Sequence, residues 1–281
     1  MDRRSFLASS AVALGGLAAF GPAFGAARSA VPARLGVQLY TVRDIFPNDF
    51  IGVLEAIKRM GYDEVEFAGY HDRDPRAVRA VLDDIGLTAP ATHVGIDVLR
   101  NDFDATIETA NIVGHDYVIL PWLADEARPT SLDGYRRLAE ELNGWGERAQ
   151  AAGVQMAYHN HDFEFTVFED GMGYATMLDE TDPDLVDFEL DLFWITQAGY
   201  DPVDFFESHP GRFPLFHVKD RTAEGAMTSV GAGAIDFVKI FDHAEQAGLK
   251  HAIIEHDNPG EQRNASLDTL AESYAYLESL R

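Results

Sequence analysis

Beyond Arg34 the chain repeats one pattern eight times: a short apolar run, then a longer polar segment of helical period. The runs are "LGVQLY" (35–40), "EVEFAG" (64–69), "APATHV" (89–94), "YVILPWL" (117–123), "VQMAYHN" (154–160), "VDFELDLFW" (186–194), "FPLFHVKD" (213–220) and "HAIIEHD" (251–257). Segments such as "DFIGVLEAIKRMG", "DPRAVRAVLDDIG", "SLDGYRRLAEELNGWGERAQAAG" and "GAIDFVKIFDHAEQAG" lie between them and end on Gly61, Gly86, Gly153 and Gly248. Apolar residues three and four apart, closed by glycine, predict amphipathic helices with left-handed C-terminal caps. Strands that alternate with helices and are apolar on both faces predict a parallel sheet. Eight repeats, with no nucleotide-type glycine fingerprint after the first run, favour a closed α/β barrel, (β/α)8, over a doubly wound open sheet. No linker interrupts residues 31–281, which read as a single domain, and "NASLDTLAESYAYLESL" supplies the helix that closes it.

Charge limits the partners. The 281 residues carry 47 acidic groups against 22 Lys and Arg, a formal charge of −25. Such a surface repels phosphate backbones, so nucleic acid is an unexpected partner. The chain has no cysteine, which excludes disulfides, thiolate chemistry and zinc sites of the cysteine type. Residues 1–30, "MDRRSFLASSAVALGGLAAFGPAFGAARSA", combine Arg3 and Arg4, a short apolar stretch and small residues near Gly25 to Ala30. The composition reads as a signal peptide of twin-arginine type, with an uncleaved anchor as the alternative. It predicts an exported, periplasmic protein with no stable membrane span in its mature form.

In a barrel, functional groups project from the C-terminal ends of the strands. Polar residues collect there: Gln38 and Tyr40 on the first run, Glu66 on the second, His93 on the third, Trp122 on the fourth, and His159, Asn160 and His161 on the fifth. Asp191 ends the sixth, His217 and Lys219 the seventh, and Glu255, His256 and Asp257 the eighth. Any one of them reads equally as a paired core group. Carboxylates set so deep are costly unless paired or coordinated, and a divalent metal satisfies several at once. Oxygen and imidazole donors suit Mn, Co, Fe, Zn and, less well, Mg. His159, Asp191, His217 and Glu255 are the candidate ligands, with His161 and Glu164 as alternatives on strand five. A histidine not bound to metal could serve as base.

The ordered motifs "YHNHDFEF", "ELDLFW", "FHVKD", "VGAGAIDF" and "IIEHD" resemble the xylose isomerase-like barrel family of sugar phosphate isomerases and epimerases. The resemblance implies a TIM barrel holding one divalent metal, with Asp191, His217 and Glu255 as ligands. Ketose 3-epimerases of this family place glutamate on strand five, where this chain has His159. The departure puts a two-glutamate epimerisation in doubt and is compatible with the related dehydratases and lyases acting on inososes and 3-keto-glycosides.

The expected chemistry is proton abstraction next to a sugar carbonyl through an enediolate, with Glu255, His161 or His159 as the catalytic groups. Returning the proton gives an isomerase or epimerase; losing a β-substituent gives a lyase or dehydratase. Gln38, His93, Trp122, Trp194, Lys219 and Arg221 are candidate sugar contacts, with Phe163 and Phe193 as further apolar faces. The glycines of "VGAGAIDF" lack neighbouring basic residues, so an unphosphorylated sugar or keto-glycoside is favoured. A non-catalytic sugar-binding protein is the reading from another class. A metal-dependent abasic-site endonuclease is disfavoured by the charge and the export signal.

Overall fold

The computed structural model describes residues 31–260 and 265–281. The expected signal peptide lies outside the described residues. Eight parallel strands close into a barrel: β1 (Leu35–Gln38), β2 (Glu64–Phe67), β3 (Thr88–His93), β4 (Tyr117–Leu120), β5 (Gln155–His159), β6 (Val186–Asp191), β7 (Leu215–Val218) and β8 (His251–Ile254). Each strand pairs with its neighbours in sequence, and β1 closes the ring on β8 through Leu35↔Ala252, Gly36↔Ile253 and Val37↔Ile254.

The alternation of side chains along a strand sorts the residues into two layers. Val37, Val65, Val118, Met156, Phe188, Phe216 and Ile254 belong to the large core between strands and helices. Their neighbours Ala91, Tyr117, Ile119, Ala157 and Leu215 form a separate, smaller cluster that fills the barrel interior. Two residues further along the same strands, the inward positions turn polar: His93, His159 and His217.

Local signals place the helices. α1 (Phe50–Met60) starts where Asp49 accepts a hydrogen bond from Gly52 N and ends at Gly61, φ 110°. α2 (Pro75–Ile85) starts with Asp74 accepting from Arg76 N and Ala77 N, with proline in its first turn, and ends at Gly86, φ 78°. The closing helix, Ala265–Ser279, contacts α1 and so brings the last segment against the first.

Several elements differ from the sequence expectation, among them the first run, which turns after Gln38 into a short 3-10 helix, Leu39–Val42. The sixth apolar run does not stay extended to Trp194, because Asp191 Oδ1 accepts from Phe193 N and Trp194 N, both at 2.9 Å, and starts the helix Leu192–Gln197. The segment expected as one helix before the last strand breaks at His243 into Phe237–Asp242 and Ala244–Ala247.

Candidate active site

The C-terminal ends of the strands surround a cavity of about 500 Å³ lined by Tyr40, His93, Trp122, His159, His161, Lys219, Glu255 and Asp257, among others. Strand alternation aims Gln38, Glu66, His93, His159, Glu189, Asp191, His217 and Glu255 at the barrel axis. Two tiers result.

The outer tier brings together three of the predicted ligands, Asp191, His217 and Glu255, while the fourth, His159, groups with the inner tier and touches the outer one through Asp191. His217 Nδ1 lies 2.9 Å from Glu255 Oε2, and His159 Nε2 lies 3.5 Å from Asp191 Oδ2. Asp191, His217 and Glu255 each bring one ligand atom within 4.8 Å of the others. Lys219 stands among the carboxylates, with Nζ 2.9 Å from Asp191 Oδ2, 2.6 Å from Glu255 Oε2 and 2.8 Å from Asp257 Oδ1.

The inner tier consists of Glu66 and Glu189 facing three imidazoles. His93 Nε2 is 2.8 Å from Glu189 Oε2 and 3.3 Å from Glu66 Oε2; His217 Nε2 is 2.6 Å from Glu66 Oε2. Gln38 Nε2 donates to Glu66 Oε2 at 2.7 Å. His93, His159, Glu189 and His217 form a second group whose ligand atoms come within 4.8 Å of one another.

Burial and charge set the protonation states. Burial opposes charge on His217, yet the carboxylates of Glu189, Glu66 and Glu255 hold it well above the ordinary imidazole range. Burial and the neighbouring His217 push His159 well below that range, so it is neutral. Burial would raise Glu255, but Lys219 and His217 keep it well below the carboxylate range and ionised. Burial raises Asp191 to about 6 despite Lys219. His161 is lowered to about 3, by burial first and then by Lys219.

The outer donors suit a divalent cation. Donors around one ion at bonds of about 2.1 Å stand about 3 Å apart, close to the spacings here. Asp191 Oδ2 and His217 Nδ1 are buried without a hydrogen-bond partner, although Lys219 Nζ and Glu255 Oε2 lie within 3 Å of them. A divalent cation here would take the place of the His217 Nδ1 proton and add to the charge that Lys219 brings to Asp191. Lys219 brings the one ammonium of this tier.

The other expected residues fall in different places. His161 lines the cavity with its Nδ1 buried and unpartnered, and its ring lies 5.2 Å from that of Trp194, whose Nε1 is also buried without a partner. Glu164 is committed elsewhere: its carboxylate accepts from Tyr158 Oη at 2.7 Å and from His161 N at 2.9 Å, folding the strand-five loop. Gln38 is fully buried under the site. Trp122 stands 47% exposed at the mouth. Arg221 lines another hollow, with Thr196, Tyr200 and Lys239. The glycine-rich loop closes on Asp220, which accepts from Arg221 N, Gly231 N, Gly233 N and Ile235 N at 2.8–3.2 Å. These glycines serve a buried carboxylate of the chain itself.

Glu189 was not singled out in the sequence. Its signal was period two: it lies two positions before Asp191, on the same face of one strand.

The model of the xylose isomerase-like TIM barrel family matches residues 54–280. An inosose dehydratase of Geobacillus kaustophilus is 26% identical over 228 residues, which cover 67% of this chain and 73% of that protein. The crystal structure of a sugar phosphate isomerase/epimerase from Parabacteroides distasonis is similar with a TM-score of 0.74 and 25% identity, over 86% of this chain and 94% of that one. The IOLI protein with a bound zinc atom is similar with a TM-score of 0.69 over 88% of this chain and 96% of that one; at 16% identity the likeness shows the fold alone.

Proposed function

Because the chain belongs to the xylose isomerase-like TIM barrel family, we propose that it is a divalent-metal-dependent enzyme that enolises a carbohydrate ketone. The observation that carries this reading is the convergence of Asp191, His217 and Glu255, one ligand atom of each within 4.8 Å of the others, beside a sugar-sized cavity that Glu255 lines. His159, Asp191, His217 and Glu255 would hold the ion. Bound there, a divalent cation supplies a Lewis acid for a carbonyl and the hydroxyl next to it.

The chain's residues then have separable tasks. Glu255 removes the proton from the carbon next to the carbonyl. Lys219 offers N–H donors to the oxygen on which charge develops. His161 Nδ1 and Trp194 Nε1 are free to bond substrate hydroxyls. Trp122 and Tyr40 border the entrance.

β-Elimination is the outcome we favour. The proton goes to Glu255, the C–H pair enters the enediolate, and its collapse restores the carbonyl and forms the C=C bond while the β-oxygen leaves with the proton that Glu255 returns. One base suffices. Epimerisation by two carboxylates needs a second one on the opposite face, and strand five offers His159, which is buried and bonded to Glu189 at 3.2 Å. An inosose-like or 3-keto-glycoside substrate fits elimination, as does the name of the Geobacillus relative. Isomerisation or epimerisation is the second reading, favoured by the Parabacteroides structure's name. We further propose export by the twin-arginine-type signal, so that the enzyme meets extracellular carbohydrate.

The test is solvent-deuterium exchange into a panel of ketoses, inososes and 3-keto-glycosides. Wild-type protein exchanges at least one of them, with release of the β-substituent if elimination follows. Glu255→Gln loses exchange. Binding of sugars without exchange by any of the panel would leave a sugar-binding protein instead.

A further inference from the structure

Glu189 stands one tier below Asp191 on β6, and its two oxygens are used unequally. Oε1 is buried without a partner, while Oε2 faces three imidazoles from three other strands. It lies 2.8 Å from His93 Nε2, 3.1 Å from His217 Nε2 and 3.2 Å from His159 Nδ1. The opposite ring nitrogens of two of these histidines face the outer tier. His159 Nε2 turns toward Asp191 Oδ2 at 3.5 Å, and His217 Nδ1 toward Glu255 Oε2 at 2.9 Å.

An imidazole that gives its one N–H to a carboxylate keeps the lone pair on its other nitrogen. Two rings anchored to the same oxygen from behind are therefore fixed in tautomer and orientation together. We propose that Glu189 is a positioning residue: it accepts the inner N–H of both His159 and His217, so that His159 Nε2 and His217 Nδ1 present lone pairs to a divalent cation shared with Asp191 and Glu255. The proposal rests on the divalent-cation reading above.

Neighbouring groups divide the work without replacing Glu189. Glu66 Oε2 shares the His217 N–H at 2.6 Å and is itself pinned by Gln38 at 2.7 Å, but only Glu189 reaches both candidate ligands. His93 gives its Nε2 to the same carboxylates and closes the inner tier against the cavity. The different nitrogens used, Nδ1 inward for His159 and Nε2 inward for His217, make the prediction specific.

The test uses the full chain labelled with ¹⁵N-histidine, stripped of metal, and read by long-range ¹H–¹⁵N correlation. Wild type is expected to show His159 protonated on Nδ1 alone, and His217 keeping its Nε2 proton while its Nδ1 proton, held toward Glu255, is released on adding Zn²⁺. Glu189→Gln loses that pattern and binds Co²⁺ about 10–100-fold more weakly, the usual cost of removing a carboxylate behind a metal-bound histidine. Its Co²⁺ visible spectrum changes as well, which a general loss of packing would not produce at unchanged secondary structure. Glu189→Asp keeps the charge and recovers part of the affinity; it also stands in should Glu189→Gln fail to fold. Wild-type tautomers and affinity in Glu189→Gln overturn the proposal. So does Co²⁺ that survives Asp191→Ala but leaves in His93→Ala, which places the ion in the inner tier. A wild type that binds no Co²⁺ defeats the cation reading itself, and is told apart by its failure before any substitution is made.

Discussion

Lys219 Nζ lies 2.6 Å from Glu255 Oε2 in a pocket where both side chains are at most 5% exposed, and the same ammonium reaches Asp191 and Asp257. One lysine thus balances the carboxylates that the proposed function needs ionised. Burial opposes its charge, but Asp191, Glu255 and Asp257 hold its pKa well above the ordinary lysine range.

Removing that ammonium should therefore be costly. Lys219→Met leaves buried carboxylates uncompensated, and breaking such a set typically costs about 3–5 kcal/mol. Urea denaturation in the presence of chelator is expected to show a loss of that order, with part of it recovered on adding a divalent cation. Unchanged stability in chelator would mean that the carboxylates are already protonated.

His115 sets a pH limit on the fold away from the site. Its Nδ1–H donates to Ala89 O at 2.6 Å and its Nε2 accepts from Tyr70 Oη at 2.7 Å, so the ring is held neutral. Burial lowers its pKa to about 4 from 6.5. Between those values the unfolded chain binds the proton and the folded one does not. Stability is thus full above about pH 6.5 and is lost as pH falls toward 4, by up to about 3 kcal/mol. His115→Gln should flatten this slope in denaturation curves at pH 7, 5.5 and 4.5; a wild-type slope in the variant would assign the acid sensitivity to other groups.

The glycine loop gives a third expectation. A Cβ on Gly233 would meet Asp220 Oδ1 at 2.3 Å and Arg221 O at 2.4 Å. Gly233→Ala must open the loop around Asp220, and Asp220→Ala leaves four backbone N–H groups without their acceptor. Each is expected to cost about 2–4 kcal/mol, and the pair less than the sum because they break one structure. Added inorganic phosphate should protect neither variant; protection would return the loop to anion binding.

Much of this architecture was legible in the sequence. Strand number and order followed from apolar runs and capping glycines, and the placement of Asp191, His217 and Glu255 at the same end of the barrel from polar residues near run ends. The inner tier was harder to see because Glu189 sits inside an apolar run, where a buried carboxylate reads as an isolated exception until the closed ring shows that it faces His93, His159 and His217. Gln38 looked like a sugar contact for the same reason: sequence fixes its face of the strand but not its depth. Glu164 and Asp220 owe their roles to backbone N–H groups of folded loops, which leave no mark on residue type.

The central claim is that the outer tier holds one divalent cation for enolising chemistry. Metal content of the purified protein, measured beside the Asp191→Ala, Glu255→Ala double variant, tests it most directly. About one tightly bound divalent ion per chain, lost in the variant together with deuterium exchange, is the predicted result. A metal-free wild type whose exchange is indifferent to chelator, or an ion that the double variant keeps, would contradict it.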